Sequence, residues 1–116
     1  MDKKYIKKLE RVLDENGVLV NGYEMETSIC TSIQDKAREQ GYDFDNASDF
    51  TEEYVNVEIP LNDGTILQVD GSVKRTTKYY RGPDEELPYN QVNINSLYVV
   101  ESDGTKKDCN FSYSYL

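Results

Sequence analysis

The chain contains no histidine and two cysteines, Cys30 and Cys109, which closes the commonest routes to catalysis before any fold is considered. A zinc site of the ordinary kind needs clustered Cys and His. Nucleophile activation by Ser-His-Asp or Cys-His fails for the same reason, leaving Ser-Lys or carboxylate chemistry. Among the 22 acids the densest run is Asp84-Glu85-Glu86, and three adjacent acids between Pro83 and Pro88 read as a solvated loop. The glycines at 17, 22, 41, 64, 71, 82 and 104 form none of the patterns that cradle a phosphate. Asp43-Phe44-Asp45 opens like a calcium loop, where oxygen ligands at alternate positions wrap a hard cation. The continuation fails: the fifth position is Ala47, the sixth is Ser48 instead of glycine, and the twelfth is Tyr54 where a bidentate Glu belongs. No enzyme, catalytic residue, metal site or cofactor is therefore expected.

Binding chemistry is better supported. The formal charge is −9, and without histidine it hardly moves between about pH 6 and 8. From Glu24 to Glu53 nine acids face only Lys36 and Arg38, a local net of −7. An acidic field speeds encounter with cationic surfaces, including those that otherwise hold DNA or RNA. Asp43, Asp45, Asp49, Glu52 and Glu53 are the candidate partner-binding residues, for a partner protein with a basic surface. The competing view is that these acids only keep the chain soluble.

A second strip is basic: Lys74, Arg75, Lys78 and Arg81 with no acid between them, interleaved with Tyr79 and Tyr80. Lys74, Lys78, Tyr79, Tyr80 and Arg81 resemble a base-stacking strip with phosphate contacts. Strand alternation, however, puts Lys74 and Lys78 on one side and Arg75 on the other, the pattern of a charge-protected edge strand or projecting arm. The overall charge also repels nucleic acid at long range, so a nucleic-acid partner is disfavoured. An alternative role is structural, as an assembly component contacting partners through a tyrosine-rich sheet that draws on the 10 tyrosines, with Tyr79, Tyr80, Tyr113 and Tyr115 as candidates.

These residues need elements to position them. At 116 residues the chain builds one domain. Tyr5, Ile6, Leu9, Val12 and Leu13 share one helical face within residues 2–16, and Gly17 stands where a C-terminal cap belongs. Lys3, Lys4, Lys7, Lys8 and Arg11 form the opposite, solvated face. Residues 18–27 admit two readings: Asn21-Gly22 as a hairpin turn, or Asn21 as the cap of a second helix over roughly 24–40 carrying Met25, Ile29, Ile33 and Ala37. An acidic connector follows over 41–53, with Tyr42, Phe44 and Phe50 as anchors to the core.

Period two then takes over. Val55, Val57 and Ile59 alternate with polar residues up to Pro60, and Asn62-Asp63-Gly64 supplies a turn. A long strand over 65–80 is expected to bulge at Asp70-Gly71. Arg81 to Pro88 reads as a projecting loop, and strands over 89–101 and 105–116 flank a second turn at Ser102-Asp103-Gly104. In the last of these Cys109, Phe111, Tyr113 and Tyr115 share a face. The fold class that results is α+β, two N-terminal helices packed on an antiparallel sheet of about four strands. The domain spans 1–116, with helices within 2–40 and the sheet over 54–116.

No signal-peptide core or membrane-length apolar run is present, so a soluble, cytoplasmic protein with two unbridged thiols is expected. Val69-Asp70-Gly71-Ser72-Val73, Tyr79-Tyr80-Arg81-Gly82-Pro83-Asp84-Glu85-Glu86-Leu87-Pro88 and Val92-Asn93-Ile94-Asn95-Ser96-Leu97-Tyr98 together resemble small uncharacterised acidic proteins of phages and conjugative elements of gut bacteria. The resemblance covers the C-terminal half. It implies a phage or mobile-element accessory or counter-defence protein and brings no functional residue with it.

Overall fold

The computed structural model describes residues 3–44, 51–79 and 86–115. Helix α1 spans Lys3–Glu15 and buries Ile6, Leu9 and Leu13, one stripe at helical spacing. Its end is a Schellman motif: Val18 N–H donates to Leu13 O at 2.8 Å and Gly17 N–H to Asp14 O at 3.0 Å, with Gly17 at φ 85°. Helix α2, Gly22–Glu39, ends the same way through Tyr42, Ala37, Gly41 and Arg38. At its start the Asn21 side chain accepts from Tyr23 N at 3.0 Å and Glu24 N at 3.2 Å, which decides between the two readings of 18–27. Asn21 is a helix cap, and no hairpin forms there. The apolar repeat Met25, Ile29, Ile33, Ala37 is the buried stripe of α2.

Among the described residues five strands follow: β1 Glu52–Pro60, β2 Ile66–Tyr79, β3 Glu86–Val100, β4 Lys106–Asp108 and β5 Tyr113–Tyr115. All pairings are antiparallel, in the order β1-β2-β3-β4, with β5 also on β3. The result is α+β, as the helix-then-strand order of the sequence implies. Two turns of matching chemistry close β1-β2 and β3-β4. Gly64 and Gly104 take φ 86° and 90°, while the Asp63 and Asp103 carboxylates accept from Thr65 N and Thr105 N.

Three boundaries differ from the sequence reading. Pairing begins at Glu52↔Lys74 and Glu53↔Val73, so both acids belong to β1 and not to the connector. The ladder of β3 likewise takes in Glu86, Leu87 and Pro88, which read as loop. The final strand is broken into β4 and β5. From Tyr98↔Asp108 to Ile94↔Tyr113 the last segment carries one residue more than β3 does. Asn110 absorbs it at φ 52°, held by its N–H on the Asp108 carboxylate at 2.8 Å. Cys109 and Phe111 still face inward. No disulfide joins Cys30 and Cys109; burial pushes the Cys109 thiol above its ordinary range.

The expected irregularity at Asp70-Gly71 is present, with Asp70 opposite Ser96 and Gly71 opposite Ile94, so that Asn95 is the extra residue. Ile33 of α2 lies over Gly71, where an added Cβ would stand 2.7 Å from Ile33 Cδ1. Helices cover the face carrying Val55, Val57, Leu67, Val69, Val73, Ile94, Leu97 and Val99. The other face is polar, exposed at Tyr54, Asn56 and Glu58 and closed at its centre. Ser72 and Asn93, both buried, are paired on it through Asn93 Nδ2 to Ser72 Oγ at 3.1 Å. Beyond β1, β2 and β3 continue as a two-stranded ribbon from Arg75↔Asn90 to Tyr79↔Glu86, in a molecule of 54 × 31 × 20 Å.

Candidate interaction surface

The end of α2, the first residues of the connector and the start of β1 meet at one place. Gln40, the residue after α2, donates through Nε2 to the Glu53 carboxylate at 2.6 Å and to Tyr54 O at 3.0 Å. Tyr42 and Phe44 are anchors, as the sequence indicates. Their rings meet edge to face at 4.8 Å, and Tyr42 Oη donates to Asn90 Oδ1 at 2.9 Å. Phe44 O accepts from Asn90 Nδ2 at 3.2 Å and from Arg75 Nη1. Asp43, between these anchors, is exposed.

Asp43 and Glu53 therefore lie at the C-terminal end of α2, where the helix carbonyls contribute roughly half a negative charge, while Glu52 alternates to the other face of β1 with Tyr54. Two cations lie close by. Arg38 pairs with Asp35 at 3.1 Å and covers the Phe44 ring at 4.5 Å, and Lys36 sits 3.6 Å from Glu39. Both ion pairs are within one exposed helix face, where such pairs are worth little. The Glu52 carboxylate beside Tyr54 holds that phenol above its ordinary range. Asp45 and Asp49 lie outside the described residues.

The basic strip is placed differently. Lys74 is half-buried on the open face, and Arg75 turns its guanidinium toward Phe44 O, a structural use. Lys78 and Tyr79 lie on the ribbon at positions whose side chains are outside the described set, as are Tyr80, Arg81 and the acids Asp84 and Glu85. Tyr113 pairs with Ile94 and is half-buried among the core residues, so it belongs to the helix-covered side; Tyr115 is opposite Val92.

The sequence reading missed a groove beside β1. Thr51 O accepts from Arg75 N at 2.8 Å and Leu61 N donates to Thr65 O at 2.8 Å. Antiparallel pairing alternates, so the odd residues 53–59 turn their main-chain groups to β2 while Glu52, Tyr54, Asn56, Glu58 and Pro60 turn theirs to the free edge. The Gln40 bond to Tyr54 O, made from outside the sheet, agrees. Alongside this edge runs one stripe of α2. Ser32, Asp35, Lys36 and Glu39 border Asn56, Val57 and Glu58 in a groove of 460 Å³, and Glu24, Met25 and Ser28 border Ile59, Pro60 and Leu61 in a second of 370 Å³. Tyr54 stands 68% exposed at the edge, and Leu19 is 84% exposed at the apolar end. Alternation in β1 was visible in the sequence; that its edge pairs with no other strand among the described residues and is flanked by α2 was not.

Among the described residues no group of three or more His, Cys, Asp or Glu is placed to hold a metal ion, and no helix is long and apolar enough to cross a membrane. No family model matches the chain, and neither the curated proteins nor the solved structures contain a match.

Proposed function

We propose that the protein is a macromolecule-binding module that offers an acidic surface to a basic partner protein, acting as an accessory or counter-defence component of a phage or mobile element. The observation that carries the binding role is the placement of Asp43 and Glu53 at the negative end of α2, with Glu52 next to them in β1, beside cations that pair with Asp35 and Glu39. Like charges brought together cost stability, and a field of one sign raises the encounter rate with the opposite one. The mobile-element setting rests on the resemblance in the C-terminal half. The test is charge reversal, Asp43→Lys with Glu52→Lys and Glu53→Lys, followed by capture of basic proteins from a host lysate at low and high salt. Capture should weaken and lose its salt dependence; unchanged capture refutes the acidic surface.

A second reading has one observation in its favour. Tyr54 is large, aromatic and 68% exposed on the open face of the sheet, as an assembly contact would be. A homo-oligomer that grows with concentration and ignores salt, measured by size-exclusion with light scattering, would favour assembly; a monomer at all concentrations favours the acidic ligand.

A further inference from the structure

We infer that the groove between α2 and the free edge of β1 takes an extended segment of a partner, basic along most of its length and apolar at one end, by addition as a sixth strand. The inference rests on the acidic-surface reading and specifies its binding mode.

Main-chain groups make the site. Edge strands offer a ready row of donors and acceptors, and strand addition uses them for affinity while side-chain pockets set specificity. Here the row is Glu52, Tyr54, Asn56 and Glu58, with Tyr54 O occupied by Gln40 and Pro60 lacking an N–H. Among the described residues nothing else bonds to the edge-facing main chain of Asn56 and Glu58. The row therefore has a defined centre and a defined stop. A span of about four residues pairs over about 13 Å at strand rise.

Charge chooses the occupant. Asp35, Glu39 and Glu58 border the groove against Lys36, and no cation among the described residues pairs with Glu58. A second copy of this chain would bring the same Glu52 and Glu58 to the edge and be repelled, as charged edges generally prevent self-pairing. Lysine or arginine at alternate positions of an incoming strand meets those acids. At the other end Leu19, Val20, Met25, Ile59 and Leu61 stand among Glu24, Ser28 and Asn62 in the second groove and leave room for one apolar side chain. The groove is thus acidic and then apolar along a single strand direction.

The test uses a fluorescein-labelled nonapeptide of alternating lysine and valine ending in leucine. Its controls are the glutamate-valine counterpart and the lysine-valine peptide N-methylated along its backbone. Anisotropy should show the lysine peptide binding at least tenfold more tightly than either control. Amide exchange by NMR should show new protection at the N–H groups of Asn56 and Glu58. Asn56→Pro, which removes an edge-facing donor at a position equivalent to the proline already at 60, should weaken binding about tenfold, whereas Asn56→Ala should not. Equal binding of the N-methylated peptide, or unprotected Asn56 and Glu58 amides, overturns strand addition while leaving the acidic surface intact. Loss of binding by both lysine peptides on reversing Asp43, Glu52 and Glu53, with no amide protection in the parent, is the outcome for a purely electrostatic surface and also overturns it. Binding that depends on N-methylation yet ignores charge reversal would retain the edge and refute the acidic reading.

Discussion

Replacing Gly71 with alanine should lift α2 from the sheet and with it alter the groove beside β1. Gly71 sits opposite Val55 on β1 and Ile94 on β3, beneath Ile33 of α2. A Cβ there would stand 2.7 Å from Ile33 Cδ1, 3.1 Å from Ile33 Cγ1 and 2.8 Å from Asn93 O. Favourable carbon contacts lie near about 3.5–4.0 Å, so all three are repulsive. Ile33 can answer by changing rotamer. Asn93 O belongs to the main chain of β3 and cannot move without disturbing the ladder, so the cost falls at the upper end of overpacking, about 3 kcal/mol. At about 4 °C per kcal/mol for a chain of this size, Gly71→Ala should lower Tm by about 12 °C. Ile33→Val removes Cδ1 and alone costs about 1 kcal/mol. The double variant should then be about 1 kcal/mol more stable than additivity allows, since the closest side-chain clash is gone while the contact with Asn93 O persists. Urea denaturation followed by circular dichroism measures all three. A Gly71→Ala change within about 0.5 kcal/mol of the parent, or a strictly additive double variant, would refute the account of how α2 seats on the sheet.

Two further outcomes follow from local chemistry. The Asp63 and Asp103 carboxyls are held below the usual range by the N–H groups of Thr65 and Thr105. A group depressed in the folded state stabilises above its unfolded value and loses that contribution as pH falls through the folded one. The urea midpoint should therefore drop below about pH 4, and Asp63→Asn with Asp103→Asn should make the drop shallower; parallel acid profiles would count against it. In the ribbon, the main chain of 76–79 and 87–90 is paired only within β2-β3 among the described strands, so its amides should exchange faster than those of 67–73 and 97–100. Equal protection along both strands would mean that something else covers the ribbon.

Local chemistry made much of this protein legible in its sequence. Helix caps and turns are decided by a few neighbouring residues, so Gly17 and the Asx-Gly turns at 62–64 and 102–104 stand where their residue types place them. Period-two and helical apolar patterns likewise marked the buried faces, because both arise from burial of one side of a regular element. Asn21-Gly22 was ambiguous locally and was decided by packing. An added Cβ on Gly22 would stand 2.7 Å from Ile6 Cγ2 of α1, a contact set by how the two helices pack. The break at Asn110 was equally hidden, since the extra residue is defined by the register of β3 and not by its own sequence.

Charge shows the same division. Composition gave the sign of the surface, and Asp43, Glu52 and Glu53 as candidates, because net charge is a sum over residues and needs no coordinates. The placement of Asp43 and Glu53 at one end of α2, the diversion of Arg75 to Phe44 O, and the edge position of β1 among the described strands depend on which strand lies outermost and where a helix crosses it. Strand order is set by long-range pairing free energy distributed over every ladder, so a period-two pattern reads the same in an edge strand as in a central one. Tertiary structure alone decided that, among the described strands, β1 is an edge strand flanked by α2, and that the groove between them carries a net acidic lining.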